Sequence, residues 1–251
     1  MLLRRVIQHV TEQNWTAVVI DFLIVVLGVF MGIQVQGWYE NQRDERLTSD
    51  YLHRLNDDFS LSVAGTLRTR DFVSSNLRNL TVVVDSLKNC LLPEDQRDDF
   101  ANGFFHMAKL IPAQFVSGTL EELRASGRLL LLKNDELRDA INETVRENEY
   151  QARVWPALQG RGAQNRDYIT NKVIFWLEGP IDGFSNISWH QLEFDFEAAC
   201  QDKVLQARLS DLQRMSYVNI DWLDRNLANF ERVKSTLDKV LKTNETLAEA
   251  G

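Results

Sequence analysis

Two cysteines, four prolines, four histidines and twelve glycines are all that this 251-residue chain has of those residue types. Two cysteines are too few for a disulfide-rich scaffold or a cysteine-based zinc site. With so little proline and glycine, long stretches run without a helix breaker, which favours a few long helices over a sandwich or barrel. Positive charge is in deficit: 28 Lys and Arg stand against 36 Asp and Glu, a net charge of −8. The basic footprint that carries phosphate-backbone affinity is missing, so no nucleic-acid partner is expected. No G-x-S-x-G, P-loop, dinucleotide fingerprint or H-E-x-x-H occurs, and the expectation is a non-enzyme with no catalytic residues, cofactor or metal. The composition that remains, 44% hydrophobic and 25% charged, is that of a globular protein rather than a disordered chain.

One long apolar run is present. From Trp15 to Tyr39 the sequence WTAVVIDFLIVVLGVFMGIQVQGWY carries a single charge, Asp21. A spanning helix needs about 20 mostly apolar residues, and Trp15 at one end with Trp38 and Tyr39 at the other match interfacial anchors. The run predicts one transmembrane helix over 15–39. A cleaved signal peptide, suggested by Arg4 and Arg5, fits less well because the run is long, contains an acid and has no A-x-A site. Twin-arginine export fits poorly too, since the apolar run starts too far downstream. Before the span, Leu2, Leu3, Val6, Ile7 and Val10 fall at helical spacing opposite Arg4, Arg5, Gln8 and Glu12. Residues 1–14 are thus either a cytoplasmic amphipathic segment in the headgroup plane or a frayed tail.

Orientation follows from the charges that flank the span. Two basic residues precede the span and Arg43, Arg46 and Arg54 follow it, but Glu40, Asp44, Glu45, Asp50, Asp57 and Asp58 dilute the downstream flank. Large downstream domains cross largely regardless of charge, so the expected arrangement is N-terminus cytoplasmic and residues 40–251 in the periplasm of a bacterial inner membrane. Cys90 and Cys200 are compatible with that compartment, either as a disulfide or as two buried thiols.

Within the span, Gly28 and Gly32 form a GxxxG, and Asp21, Val25 and Gln36 fall near the same stripe. Such a small, polar face lets helix backbones approach closely in lipid, which predicts self-association or docking on a membrane-protein partner. Asp21 has two readings: a proton-carrying carboxylate whose pKa desolvation raises, or a structural group reaching the headgroups or a helix contact.

Downstream the period is helical almost throughout, and no second apolar stretch of membrane length appears. The fold class expected is all-α: the transmembrane helix continues into an elongated bundle of long antiparallel helices. Leu47, Tyr51, Leu55, Phe59, Val63, Leu67, Val73, Leu77, Leu80, Val84 and Leu87 predict a helix from 42 to 89, about 70 Å long, with a possible kink near Gly65. Pro93-Glu94-Asp95 opens a shorter helix through Phe100, Phe104, Phe105 and Met107, ending before Pro112. Next come a short helix capped by Ser117 or Thr119 and closed by Gly127, and a helix opened by Asn134-Asp135-Glu136. The latter carries Leu137, Ile141, Val145, Tyr150, Val154 and Leu158, kinks near Pro156, Gly160 or Gly162, and resumes through Tyr168, Ile169 and Val173. A turn-rich loop, EGPIDGFSNISW, leads to a final helix from Val204 to Leu241 with near-heptad spacing.

NWTAVVIDFLIVVLGVFMGIQVQGW, YLHRLNDDF and GTLEELRASGRLLLLKNDELRDAI together resemble a group of uncharacterised bacterial membrane-anchored proteins carrying a domain of unknown function. The resemblance covers about half the chain and implies a single-pass helical protein of the inner membrane, with no activity attached. VVIDFLIVVLGVFMG is also similar to the transmembrane helix of proton-driven energiser subunits of the ExbD and MotB class. That similarity implies a proton-carrying role for Asp21, although no peptidoglycan-binding or small α/β domain follows.

Other candidates are sparse. His190, Glu193 and Asp195 have near-metal spacing but no second Glu-x-x-His arm, and a solvated junction is the expected reading. Asp57-Asp58 and Glu121-Glu122 read as solvated or first-turn acids. Trp176, Phe184 and Trp189 either form a contact tip or close the end of the bundle. Three functions stay open: a membrane-anchored scaffold or accessory protein, a subunit of a proton- or ion-coupled complex, and a helical ligand sensor.

Overall fold

The computed structural model describes residues 15–177, 179 and 184–249, the side chains of 15–19, 21, 245 and 247–249 excepted. The amphipathic reading of residues 1–14 lies outside the described residues. By its contacts the chain divides into two compact units, Met1–Tyr51 and Leu52–Gly251.

Helix α1, Trp15–Asn89, supplies the apolar run and then the first helix of the body. From Leu52 on, buried positions fall at steps of three, four or seven: Leu52, Leu55, Phe59, Ser62, Thr66, Val73, Leu77, Leu80, Val83 and Leu87. This is a heptad seam, but not the one the apolar residues suggest. Val63 is only partly buried and Leu67 is exposed, while Ser62 and Thr66 are fully buried. The helix runs unbroken through Gly65. It ends where Cys90 adopts φ 51° and the Leu91 amide donates to Ser86 O (3.0 Å), a Schellman-type closure with cysteine in the left-handed position glycine usually takes.

After a 3-10 turn at Glu94–Gln96, α2 (Arg97–His106) buries Phe100, Ala101, Asn102, Gly103, Phe104 and His106. Gly103 lets α2 pack closely on α1, since a Cβ there would sit 2.5 Å from Asn79 O. Residues 107–117 then run without helix. Helix α3, Gly118–Ala125, has Ser117 at its N-cap and is followed by Gly127 at φ 68°, as its C-terminal turn requires. A 3-10 turn, Arg128–Leu131, leads to α4, Asp135–Thr170. Asn134 caps α4 by accepting from the Leu137 amide at 2.8 Å.

α4 continues through Pro156 but stops at Thr170. Val173, expected in that helix, opens a strand instead: β1 (Val173–Phe175) pairs antiparallel with β2 (Leu192–Phe194), Val173 opposite Phe194 and Phe175 opposite Leu192. β-branched Val173 and Ile174 with Phe175 suit a pleated, half-buried ribbon. The short α5, Phe196–Gln201, is capped by Asp195, and α6 spans Lys203–Glu249.

Along α6 the fully buried line is Leu205, Leu209, Leu212, Asn219, Leu223, Asn226, Phe230, Val233 and Leu237, with Ser216 nearly so. Steps of four and three alternate without a fault, the packing period of antiparallel helices. Val204, expected in this seam, is exposed. α6 runs antiparallel to α1, with Phe230 against Phe59, Asp224 against Arg70 and Gln213 against Thr81. It is antiparallel to α4 as well, with Asn226 against Asn148 and Asp211 against Arg161. The class is all-α, a helical bundle with one small hairpin, and the apolar core gathers where α1, α2, α6 and the hairpin meet.

Candidate membrane-spanning surface and interaction sites

One helix among the described residues is long and apolar enough to cross a membrane, near the N-terminus, where an 18-residue stretch reaches a mean hydropathy of 1.7 and none of it is buried. Phe22, Leu23, Ile24, Val25, Leu27, Val29, Phe30, Met31, Ile33 and Val35 all expose more than half of their surface. In water each such side chain forgoes about 1.5–3 kcal/mol of burial, so the run calls for an apolar environment. Gly28 and Gly32 leave open space, with nothing within 4 Å of where a Cβ would be. Trp38 and Tyr39 are exposed at one end, and Gln36 Nε2 donates to Glu40 Oε1 at 3.0 Å. The side chains of Trp15 and Asp21 lie outside the described residues.

In the body, the polar seam residues bind backbone. Residues 107–117 have no ladder partner, and their peptide groups must be satisfied from elsewhere. Asn219, fully buried, does this for Ile111 with two bonds: its Oδ1 accepts from the Ile111 amide (3.0 Å) and its Nδ2 donates to the Ile111 carbonyl (2.9 Å). Thr66 Oγ1 accepts from the Gln114 amide (3.2 Å), Ser62 Oγ from Val116 (2.9 Å), and Asp58 Oδ2 from Thr119 at the start of α3 (3.0 Å). Asp58 is therefore a helix cap and not a solvated acid.

The same device recurs on α2. Asn102 Nδ2 donates to Ile187 O and its Oδ1 accepts from the Ile187 amide, both at 2.8 Å, while Asp98 Oδ1 accepts from Trp189 at 2.7 Å. In both places polar side chains four residues apart on one helix bind a non-helical segment and an aspartate of that helix caps the next helical turn, with Asn219 of α6 adding a second clamp on residues 107–117. The available signal was spacing: Asp58, Ser62 and Thr66, and Asp98 and Asn102, occur at steps of four inside apolar seams.

Charge concentrates between α4 and α6. Burial opposes ionisation of Asp211, but Arg161, Arg214 and Asn165 outweigh it and leave the carboxyl at about 2. Asp202 also falls to about 2, through the Leu205 amide first and then Lys172 and Tyr168. His106 is 2% exposed, its ring edge-on to Phe72 and Phe105. Neither ring nitrogen meets a partner in good hydrogen-bond geometry. Burial, reinforced by the Lys109 ammonium, holds the imidazole at about 4 against a weaker pull from Asn186 and Ser185.

The remaining predicted sites separate. Glu193 accepts from Trp176 Nε1 (2.9 Å) and Asp195 caps α5, and no group of three metal-ligating side chains gathers among the described residues, around His190 or elsewhere. Trp176, Phe184 and Trp189 do not form one cluster: Phe184 meets Phe72, Trp189 meets Phe100, and Trp176 is exposed beside the hairpin. Cys90 and Cys200 are joined as a disulfide with Cα atoms 5.5 Å apart, closing the end of α1 onto α5.

No protein-family model, no curated protein and no solved structure matches this chain.

Proposed function

We propose that this protein is a membrane-anchored, non-enzymatic scaffold or accessory protein. Its N-terminal helix spans the bacterial inner membrane with the N-terminus cytoplasmic, and its helical body lies in the periplasm and presents interaction surfaces. The observation that carries the reading is the exposed apolar run around Gly28 and Gly32, whose open surface suits close helix packing in lipid. The Cys90–Cys200 disulfide supports an oxidising compartment for the body. The buried polar groups of the seams are engaged with backbone, which favours a structural body over a ligand-binding core.

The test is the native mass of the full-length protein extracted under mild conditions from its own membranes. A homogeneous multiple of the chain mass that falls to the monomer in Gly28→Leu/Gly32→Leu supports assembly through this face. A mass containing a polytopic protein makes it an accessory subunit. A monomer released from membranes by alkaline carbonate refutes the anchor.

A further inference from the structure

The turn between α3 and α4 carries a feature that the anchor does not explain. Its sequence is Arg128-Leu129-Leu130-Leu131-Leu132-Lys133. Leu132 is buried and anchors the turn, Leu129 and Leu131 are partly exposed, and Leu130 is 82% exposed, more than any described apolar side chain of the span. A lone exposed leucine would mean nothing. Here three consecutive leucines are followed by the exposed cation Lys133, an order that lets apolar side chains enter a headgroup region while the ammonium stays among lipid phosphates.

The tip's place in the body follows from contacts. Asp58 caps the start of α3 and Arg54 pairs with Glu122 at 2.5 Å, so α3 runs toward the end of the body that holds Leu52. The turn lies beyond Glu122 in that direction. Arg138 fixes its exit by donating to Leu132 O at 2.6 Å, and also holds the nearby Asp135 carboxylate. α4 then leads away, with Glu149 near Arg124 at 3.8 Å.

We infer that the Arg128–Lys133 tip is a second membrane contact, its leucines entering the headgroup–acyl boundary of the bilayer and the exposed Lys133 meeting anionic lipid phosphates. This rests on the reading of residues 15–39 as an anchor. The contact needs no ordered partner. An anchor raises the effective concentration of the body at the bilayer, and a shallow insertion of a few apolar side chains then suffices.

Both native cysteines are paired, so an introduced cysteine is the one free thiol for labelling. Full-length Leu130→Cys and Ser126→Cys, each carrying an environment-sensitive fluorophore, are reconstituted into vesicles of phosphatidylethanolamine and phosphatidylglycerol with spin-labelled quencher lipids. Val25→Cys in the span and Ser210→Cys on α6 serve as references. The expected result is quenching of about twofold or more at 130 and 126, stronger with the headgroup-proximal quencher than with one deep in the chains. It should weaken when phosphatidylcholine replaces phosphatidylglycerol, and position 126 should lose it when leucines 129–131 are all changed to serine. Quenching at 25 without quenching at 130 and 126 overturns this inference alone. Its absence at 25 as well overturns the anchor and this inference together. A blue shift at 130 without lipid quenching means that protein, such as a second copy, covers the tip, and also overturns it.

Discussion

Replacing Asn219 with Ala removes both hydrogen bonds to Ile111 and leaves a peptide N–H and C=O without partners. An orphaned buried polar group costs about 1–3 kcal/mol, and Ile111 is only partly buried, so water relieves some of that cost. The expected loss is about 2–4 kcal/mol, which for a body of this size lowers the unfolding temperature by about 5–15 °C. Circular dichroism of the full-length protein in mild detergent measures it. Gln213→Ala on the same helix is the reference, and its loss should stay near 0.5 kcal/mol. Asn219→Asp gives a sharper contrast. It keeps the shape and the acceptor for the Ile111 amide, but turns an acceptor toward the Ile111 carbonyl and buries a charge, so it should cost at least as much as the alanine. Hydrogen exchange adds a local readout, with the Ile111 amide losing its protection in the alanine variant before the α6 amides do. If Asn219→Ala melts within about 2 °C of the native protein and Ile111 stays protected, the clamp contributes nothing and the account of residues 107–117 fails.

Cys90→Ser/Cys200→Ser opens a loop with a sequence separation of 110, and chain-entropy reasoning puts the loss at about 5 kcal/mol; equal melting with and without reductant would refute a stabilising tie. Gly103→Ala drives a methyl group into Asn79 O and should cost about 1–3 kcal/mol, whereas Gly160→Ala meets open space on a helix and should gain up to about 1 kcal/mol, a contrast that melting temperatures check. His106 binds its proton more weakly folded than unfolded, so its contribution is fully present above about pH 6.5 and is lost as pH falls toward about 4. The loss reaches at most about 3 kcal/mol, and His106→Phe should flatten the stability profile over that window; an unchanged profile would refute it. Asp58→Ala removes the cap of α3 and should cost about 1 kcal/mol, seen as faster exchange at Thr119.

Helices were legible because proline and glycine are scarce and apolar residues recur every three or four positions. The seam register was not. At Ser62, Thr66, Asn219 and Asn226 the core positions are polar, so a search for apolar periodicity slides onto Val63, Leu67, Val218 and Trp222 beside them. Ser62, Thr66 and Asn219 serve residues 107–117 and Asn226 meets Asn148 and Gln151 of α4, partners distant in sequence that no local window contains. The hairpin escaped for a related reason: three-residue strands give too little alternation to read, and Val173 continues a helical spacing until the chain departs from it. Pro156 did not end α4, which continues to Thr170. The disulfide was open on sequence and was resolved only when α5 carried Cys200 to the end of α1.

The Cys90–Cys200 bond makes a closed covalent ring of everything between those residues, including the hairpin, the turn-rich loop after β1 and the leucine tip. A protease that cuts once within the ring leaves both new ends attached, because the bond still joins the N-terminal and C-terminal portions. α6 therefore stays tied to the N-terminal apolar helix after such a cut, and a released fragment requires a second cut or a reductant. In a compartment with proteases and no reducing pool, the exposed middle of the chain can be nicked without shedding the helix that follows it.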